Sequence, residues 1–350
     1  MSVPVNPYRN VGRVATGDEF IGRHDLVRHV QSAWVHPGRP TNVRVMGHHR
    51  TGKTSLAMHA LATSPVERTD MVTVVLNVGS HASGDDLFRS MTKEVLREMR
   101  ARDNAEPHGK LVDIDAAVQA AEAWYDIVQS VRDFFCTAAD QDQYTFVVLD
   151  DFDRAATVFT QLAEFQLLRE LASEPRFPLG LMTMSRRPIE SIEIDAAGGS
   201  ILGGVLTTTR YVVMFNDEEV DLTLARAAAA GVGLAAVRDD ILDKCGRHPF
   251  LLQLLANGLV ELHQETGRVD VDAAHELVAP EFDSYFRQLA TSVAMDMGEK
   301  GTAALRRLAG NVYHEKLAPE LMRLRLMGVL ADDGQLFSAA FARYVRASHT

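Results

Sequence analysis

A segment that begins at residue 47 carries the residue types that bind phosphate. Gly47 to Thr54 reads G-H-H-R-T-G-K-T and fits the pattern G-x-x-x-x-G-K-[ST]. The glycines allow a tight turn whose N–H groups point at phosphate oxygens, and a following helix presents its N-terminus to the same anion. Lys53 supplies a mobile cation, and the Thr54 hydroxyl is a suitable Mg²⁺ ligand. The pattern predicts a site for a magnesium-chelated nucleoside triphosphate.

An acidic pair follows an apolar run further along the chain. Phe146-Val-Val-Leu149 predicts a buried strand, and Asp150 and Asp151 come directly after it. In a P-loop ATPase, Asp150 would hold Mg²⁺, directly or through a water, and Asp151 would orient the attacking water. When the pair is taken alone, a solvated acidic turn explains it better, because such turns are common at strand ends. The magnesium interpretation therefore depends on the phosphate loop upstream.

A third polar group follows the apolar run from Leu179 to Met184. Ser185, Arg186 and Arg187 come at the end of this predicted strand. Parallel sheets bind their ligands at the carboxyl ends of strands, where an arginine can reach a γ-phosphate and detect its loss. Arg186 is therefore the candidate sensor, although Arg187 fits the same role and a surface arginine pair is the alternative.

The elements that must position these residues alternate in type along the first part of the chain. Apolar, β-branched runs predict strands at 43–46, 72–77, 146–149, 179–184 and 211–215. Helical periodicity predicts helices at about 24–34, 85–101, 112–138 and 158–173, with a loop at 102–110. The alternation predicts an α/β domain with a mostly parallel sheet.

Beyond residue 216 the pattern becomes helical. We expect three domains, namely a P-loop α/β domain at 1–215, an all-helical lid at 216–278 and a winged-helix domain at 279–350. The last domain contains a predicted helix from Leu317 to Gly328 and a hairpin at Asp333-Gly334. Two or three helices followed by a hairpin are typical of a winged helix-turn-helix.

Composition excludes several classes of protein. The chain has 350 residues, a net charge of −11 and two cysteines, Cys136 and Cys245. The cysteine count rules out a disulfide framework and a four-thiolate zinc site, and the N-terminus lacks the features of a signal peptide. The sequence also lacks an uncharged apolar run of about 18 residues, which a membrane helix needs. We expect a cytoplasmic protein without a broad basic surface for nucleic acid.

Two further groups of residues receive structural interpretations. His48 and His49 occupy variable positions of the loop. We expect them to be solvated, and contact with phosphate or with a partner is the alternative. The acidic run at 217–221 is interpreted as a solvated helix start that the helix dipole favours.

These motifs, in this order, resemble the STAND class of P-loop ATPases within the wider AAA+ group, especially its archaeal-type prokaryotic members. The matching segments are Asn6-Pro-Tyr8, Phe20 to Asp25, Gly47 to Ser55, Leu149 to Asp153, Ser185-Arg186 and Gly246-Arg-His-Pro249. The resemblance covers nearly the full chain, including the predicted winged helix. The phosphate loop alone is generic, whereas the ordered set of segments is fairly specific.

The resemblance implies that ATP or ADP binds between the α/β domain and the lid. Phe20, Gly22, Arg23 and Pro249 would then lie near the adenine. The loop residues expected to contact the nucleotide are Gly47, Arg50, Thr51, Gly52, Lys53, Thr54 and Ser55. Proteins of this class behave as switches, with a closed ADP-bound form and an ATP-bound form that often oligomerises.

Two positions depart from the family pattern. Asp151 stands where many relatives have glutamate, and a side chain one methylene shorter implies slow hydrolysis. The C-terminal region reads Phe337-Ser-Ala-Ala-Phe341 and has no Met-His-Asp motif, so a histidine clamp on the ADP β-phosphate is not expected.

Three functions remain open from the sequence. The favoured one is a slowly hydrolysing ATP-dependent switch that regulates a protein partner and forms a homo-oligomer in its ATP state. The alternative is a DNA-binding AAA+ ATPase that resembles origin-recognition initiators or transposition regulators, and the third is a nucleotide-binding scaffold without hydrolysis.

The DNA alternative is based on the net charge of +3 over residues 301–350. The basic residues there are Arg306, Arg307, Lys316, Arg323, Arg325, Arg343 and Arg346. However, the predicted recognition helix from Leu317 to Gly328 is too apolar for a major-groove face, and it is more typical of a protein interface.

Overall fold

The computed structural model describes most of the chain as two compact units. The described residues are 5–35, 38–64, 68, 70–103, 109–310 and 318–348. The α/β unit consists of the described residues within 24–46 and 56–211, and the helical unit consists of those within 1–23, 47–55 and 212–350. The helical unit contains both the predicted lid and the predicted winged helix, whose boundary at 278/279 stays a prediction.

A parallel five-stranded sheet forms the centre of the α/β unit, which confirms the predicted fold class. The strands are β1 (Val43–Met46), β2 (Met71–Asn77), β3 (Tyr144–Asp150), β4 (Leu179–Ser185) and β5 (Thr209–Tyr211). Their order is β2-β3-β4-β1-β5, and each neighbouring pair is parallel. Every residue of β1 and β4 is buried, as expected for strands covered on both faces.

Strand β4 lies between the strand that precedes the loop and the strand that ends in the acidic pair. Met46 of β1 pairs with Ser185 of β4, and Leu149 of β3 pairs with Thr183 of β4. Because all three strands are parallel, their carboxyl ends lie at the same edge of the sheet. The sheet thus presents the ends of β1, β3 and β4 in the arrangement that the sequence motifs require.

Eight α-helices lie among the described residues between 24 and 211. They are α1 (His24–Val35), α2 (Lys53–Ala62), α3 (Gly84–Asp103), α4 (Gly109–Ala120), α5 (Trp124–Ala139), α6 (Ala155–Val158), α7 (Leu162–Ser173) and α8 (Ile189–Ala197). Helices α1 and α3 confirm the predictions at 24–34 and 85–101. The predicted loop at 102–110 falls partly on residues 104–108, which lie outside the described residues.

The prediction of one helix over 112–138 is wrong, because the helix is interrupted between the end of α4 at Ala120 and the start of α5 at Trp124. The guanidinium of Arg89 donates to the carbonyls of Val118, Gln119 and Ala121 at 2.5–2.8 Å. The last carbonyls of a helix have no partner within the helix, and Arg89 supplies one here. The chain therefore ends α4 at this point instead of continuing its backbone hydrogen bonds into α5. Alanine-rich sequence favours an unbroken helix locally, and this distant arginine overrides that preference.

The predicted helix over 158–173 also begins differently in the structure. Helix α6 ends at Val158, and α7 begins after Gln161. The Glu164 carboxylate accepts from the N–H groups of Thr160 and Gln161, each at 2.7 Å, and closes a capping box. Such a box starts a new helix rather than continuing an old one.

The predicted strand over 211–215 is wrong, since β5 ends at Tyr211. The carbonyl of Val213 accepts from Arg23 Nη2 at 2.6 Å, and the N–H of Phe215 donates to the carbonyl of Arg247 at 2.9 Å. Because these backbone groups pair outside the sheet, the β-branched run cannot extend the ladder.

The helical unit is built from seven helices in the described part of the chain beyond residue 212. They are α9 (Asp217–Ala225), α10 (Arg238–Cys245), α11 (Pro249–Thr266), α12 (Val271–Leu277), α13 (Ala279–Ala309), α14 (Ala318–Leu326) and α15 (Ala339–Ala347). Helix α13 is bent at Gly298, whose φ is 60°. Aromatic side chains of α13 and α15 pack together in its core, including Phe282, Phe286 and Phe341.

The predicted hairpin at Asp333-Gly334 is confirmed. Leu330 and Leu336 form an antiparallel bridge, and the Ala331 N–H donates to the Gln335 carbonyl at 2.9 Å. Gly334 has φ 81°, which suits the turn. Two parts of the predicted recognition region, Leu317 and Lys316, lie outside the described residues.

None of the helices in the described segments combines the length and apolarity needed to cross a lipid bilayer. Among the same residues, no cluster of three or more His, Cys, Asp or Glu side chains could hold a metal ion.

Candidate functional site

The phosphate loop connects strand β1 to helix α2, so the strand–loop–helix context predicted from the sequence is confirmed. Gly52 has φ 97°, a conformation that side-chain-bearing residues rarely adopt. A Cβ atom at Gly47 would lie 2.4 Å from the Val212 carbonyl oxygen and 2.8 Å from Thr51 Oγ1. Gly47 lacks the space for a side chain, and Gly52 adopts a backbone conformation that disfavours one. The resulting narrow turn fits a phosphate cradle.

Hydrogen bonds within the loop fix its first half. The Thr51 hydroxyl donates to the His48 carbonyl at 2.9 Å, and Lys53 Nζ donates to the carbonyls of Gly47 and His48 at 2.8 and 3.0 Å. Helix α2 begins at Lys53, which places Thr54 in its first turn. The cation and the helix N-terminus therefore face the same turn, which is the chemistry that an anionic phosphate needs.

The acidic pair lies at the end of β3 in the α/β unit. Asp150 is the last residue of the strand, and Asp151 adopts a left-handed conformation with φ 51°. The Asp151 N–H donates to Asp150 Oδ1 at 2.8 Å, and Arg154 Nε lies 3.6 Å from Asp151 Oδ2. Asp151 lines an open cleft of about 340 Å³ between the ends of β2 and β3, together with Asn77 and Arg154. The Asp150 carboxylate thus contacts the backbone of the turn, whereas Asp151 lines the cleft.

Asp153 organises the segment after β4, and the sequence interpretation did not single it out for a role. Its carboxylate accepts from the backbone N–H groups of Arg186 at 2.6 Å and of Arg187 at 3.1 Å. Burial lowers the pKa of Arg186, and the Asp153 charge opposes that effect. The Arg187 side chain also pairs with Asp153 and with Asp195.

Glu219 organises the segment around residue 22. The acidic run does begin helix α9, and Asp217, Glu218 and Asp221 are exposed as expected, but Glu219 is not solvated. Its side chain is buried, and it accepts from the N–H groups of Arg23 at 2.7 Å and of Asn216 at 2.9 Å. Gly22 has φ 63°, and a Cβ there would lie 2.4 Å from Glu219 Cγ. Because the carboxylate packs directly on Gly22, only glycine fits this position.

Arg23 holds the loop against the segment after β5. Its Nη2 donates to the Val213 carbonyl at 2.6 Å and to the Thr51 carbonyl at 3.3 Å. Its guanidinium lies 5.0 Å from the centre of the Phe215 ring. Burial lowers the pKa of Arg23 to about 10, an effect that nearby Glu219 opposes. Arg23 therefore ties backbone segments together, and its predicted contact with adenine stays a prediction.

His48 is buried, so the expectation that it is solvated is wrong. Only 1% of the residue is exposed, and Tyr285 Oη of α13 lies 3.5 Å from its Nδ1. The same hydroxyl lies 2.7 Å from Nε2 of His248, the residue that caps the N-terminus of α11. Burial, reinforced by the charges of Arg23 and Arg50, lowers the pKa of His248 to about 3, so its ring is neutral.

The remaining predicted site residues also have defined places. Arg50 stacks over the Phe250 ring at 4.2 Å, and Ser55 Oγ accepts from the Ala15 N–H at 3.0 Å. Pro249 is the buried first residue of α11, and the N–H of Phe20 closes a short 3₁₀ turn that begins at Gly17.

The predicted site residues are divided between the two units. Phe20, Gly22, Arg23, the loop residues up to Ser55 and Pro249 belong to the helical unit, whereas Asp150, Asp151 and Arg186 belong to the α/β unit. A magnesium site that joins Thr54 to Asp150 therefore remains a prediction.

Comparison with known families finds a match over part of the chain. Residues 19–184 match the family described as the AAA ATPase domain, and this match includes the phosphate loop, the acidic pair and β4 up to Met184. No curated protein matches the chain.

Solved structures show a similar fold over nearly the whole chain. A Walker-type ATPase of Pyrococcus abyssi has a TM-score of 0.66 at 12% identity, covering 97% of this chain and 99% of that one. The ORC2 protein of Aeropyrum pernix, solved with ADPNP and ADP, has a TM-score of 0.52 at 13% identity, covering 95% and 97%. At such identities the likeness concerns the fold, and it does not distinguish the STAND class from other AAA-type ATPases.

The neutral buried state of His248 predicts a pH-dependent stability. In the unfolded chain the ring takes a proton below its ordinary pKa of 6.5, whereas the folded protein resists protonation until about pH 3. Stability is therefore greatest above pH 6.5 and falls as the pH drops through this window. We expect wild type to lose about 2 kcal/mol more than His248→Asn between pH 6 and pH 4, measured by urea unfolding.

A variant of the exposed His24, His24→Asn, serves as the control and should keep the wild-type pH dependence. Equal pH dependence of wild type and His248→Asn would contradict a neutral buried His248.

Proposed function

We propose that this chain is an AAA-type ATPase that binds ATP with Mg²⁺ and hydrolyses it slowly to ADP and phosphate. The observation that carries the proposal is the loop between β1 and α2, where Gly47 is packed against backbone and Lys53 and the α2 N-terminus face one narrow turn. The match of residues 19–184 to the AAA ATPase domain supports it.

The proposal gives a role to each of the predicted site residues. Lys53 pairs with the β- and γ-phosphates, while Thr54 and Asp150 are the proposed Mg²⁺ ligands. Bound Mg²⁺ supplies charge neutralisation at the phosphates. Asp151, at the end of β3 and on an open cleft, orients the attacking water. Arg186 senses the γ-phosphate from the end of β4.

Asp153 is proposed as a positioning residue for this sensor. It accepts both backbone N–H groups after β4, so the peptide that carries Arg186 cannot rotate freely. Two N–H donors hold the carboxylate in one orientation. Asp153 thereby links the segment after β3 to the segment after β4.

The base is proposed to lie near Phe20, Gly22, Arg23 and Pro249, as the family resemblance implies. Glu219 supports this segment because it fixes the backbone of Gly22 and Arg23. Pro249 begins helix α11 directly after the His248 cap. A nucleotide held here would contact residues of the same unit as the phosphate loop.

Among the finer functions left open by the sequence, a DNA-binding ATPase that resembles origin-recognition initiators is supported by the fold likeness. The fold likeness to the ORC2 protein of Aeropyrum pernix extends over the C-terminal helices. Arg323 and Arg325 of α14 are exposed, as phosphate contacts must be. A DNA-binding ATPase is therefore our second candidate function.

Two observations favour a protein-regulating switch instead. Arg323 donates to the Asp296 carbonyl at 2.9 Å, and Arg325 donates to the Asp332 carbonyl at 3.3 Å, so both guanidinium groups already have partners within the chain. The net charge of −11 also opposes approach to DNA.

Replacing Lys53 tests the nucleotide site directly. Lys53→Ala should weaken ATP binding at least tenfold in calorimetry, because it removes the cation that faces the phosphates. Lys93→Ala, at an exposed position on α3, should bind as wild type does. Failure of folded wild-type protein to bind any purine triphosphate would refute the proposal.

Replacing Asp151 tests hydrolysis separately from binding. Asp151→Asn should reduce phosphate release at least tenfold while ATP affinity stays within about threefold, since the residue is proposed to act on the attacking water. Asp126→Asn changes an exposed aspartate of α5 and should leave the rate unchanged. An undiminished rate in Asp151→Asn would remove this residue from the mechanism.

The DNA-binding candidate predicts an affinity for duplex DNA that falls with salt. Arg323→Ala/Arg325→Ala should lower that affinity and reduce the slope of log K against log salt by about 2, because two phosphate contacts are lost. Arg97→Ala/Arg100→Ala on α3 is the matched control. Mobility shifts at two salt concentrations that reveal no binding, or equal binding by both double variants, would favour the protein-regulating switch.

A further inference from the structure

A hydrogen-bonded chain of side chains connects helix α11 to the phosphate loop. The Leu251 N–H donates to His248 Nδ1 at 3.4 Å. His248 Nε2 lies 2.7 Å from Tyr285 Oη, which in turn lies 3.4 Å from the His49 carbonyl oxygen and 3.5 Å from His48 Nδ1. All these residues belong to the helical unit, and His48, His248 and Tyr285 are at most 3% exposed.

The direction of these hydrogen bonds follows from the neutral state of His248. Because Nδ1 accepts from a backbone N–H, the single ring proton is assigned to Nε2, which donates to Tyr285 Oη. The Tyr285 hydroxyl then has its own proton left to donate toward the loop. Burial raises the pKa of Tyr285, so the hydroxyl stays protonated.

Tyr285 contacts residues 48 and 49, and this part of the loop also orients the side chains of Thr51 and Lys53. The His48 carbonyl accepts from both Thr51 Oγ1 and Lys53 Nζ. Arg50 has φ 60°, a conformation unfavourable for a residue with a side chain, and its guanidinium stacks over Phe250 next to the His248 cap. Displacement of residues 48–50 would therefore also move the Lys53 ammonium.

We infer that Tyr285 and His248 are positioning residues that hold the first half of the phosphate loop in its nucleotide-binding conformation. His48, His49 and Arg50 thereby serve as anchors of the loop. This inference deepens the proposed nucleotide-binding function and rests on it. It assigns to α13, far along the chain from the loop, a direct effect on nucleotide affinity.

The first test removes only the Tyr285 hydroxyl. Tyr285→Phe should weaken the binding of ADP and of a non-hydrolysable ATP analogue by about 3- to 10-fold, the effect of one lost hydrogen bond on a preorganised site. Amides of residues 48–52 should exchange hydrogen faster in the variant, because the loop loses its anchor.

Tyr8→Phe is the matched control for stability. The Tyr8 hydroxyl is also buried in the helical unit, where it donates to the Thr223 carbonyl at 2.6 Å. Its removal should lower the denaturation midpoint about as much as Tyr285→Phe, while nucleotide affinity and loop exchange stay as in wild type. If lost stability weakened nucleotide binding, both variants would bind more weakly. If Tyr285 positions the loop, only Tyr285→Phe will bind more weakly.

The second test separates the two hydrogen bonds of His248. His248→Asn places an amide near the Nδ1 position, so it can keep the helix cap while losing the contact with Tyr285. His248→Gln extends an N–H donor to about the Nε2 position. We expect nucleotide affinity to fall in His248→Asn and to return toward the wild-type value in His248→Gln.

The outcomes distinguish this inference from the proposed function. If wild type binds nucleotide and Tyr285→Phe binds it equally well with unchanged loop exchange, the positioning role is overturned and the ATPase proposal stands. If Tyr8→Phe weakens binding as much as Tyr285→Phe, the effect is one of stability and the inference is also overturned. If wild type itself binds no nucleotide, the proposed function fails first.

Discussion

Residues outside the phosphate loop hold it in one conformation, and the rest of the site depends on that constraint. The loop continues β1 and leads into α2, but its contacts group residues 47–55 with the helical unit. Gly47 packs on the Val212 carbonyl, Arg23 donates to Thr51, and Tyr285 reaches His49. A glycine-containing turn has many accessible backbone conformations, so these external bonds are what select one of them. The arrangement of the phosphate-facing groups is therefore a property of the helical unit as well as of the loop.

Two carboxylates position the two arginine-bearing segments in the same physical way. Glu219 accepts from the N–H of Arg23 and caps α9, while Asp153 accepts from the N–H groups of Arg186 and Arg187. In each case the acceptor fixes the backbone rather than neutralising a distant side chain. A carboxylate with two N–H donors tolerates partial removal from water, because the two hydrogen bonds replace those it would make with water. Each carboxylate thereby fixes the backbone position from which an arginine side chain extends.

The sequence predicts the elements of this fold better than it predicts their contacts. Continuous apolar runs identify β1 and β4 because buried parallel strands have no solvated face, and the phosphate loop is recognisable by its glycines and lysine. The break between α4 and α5 could not be predicted, since Arg89 lies on another helix and acts through tertiary hydrogen bonds. The end of β5 is set in the same way by Arg23.

The missed residues of the candidate site share one property. Glu219 and His48 have residue types that are usually exposed, and their burial results from partners distant in sequence. Asp153 gave a weak signal, because it lies within the acidic segment matched to the family, yet its acceptor role needs the end of β4 beside it. Local patterns identify charge and periodicity, and only the fold tells which charged side chain is surrounded by backbone donors.

The fold of this chain therefore does not determine the chemistry of its site. A TM-score of 0.66 at 12% identity means that the backbone path persists while most side chains differ. The groups that anchor the loop here are side chains at the variable positions of the phosphate-binding pattern, together with a tyrosine from α13. Such anchors can change from one protein to another without changing the fold, because any residues that restrain the same turn serve the purpose. How strongly nucleotide binding depends on the C-terminal helices is consequently set by this chain's own His248 and Tyr285, and a similar fold in another protein does not determine it.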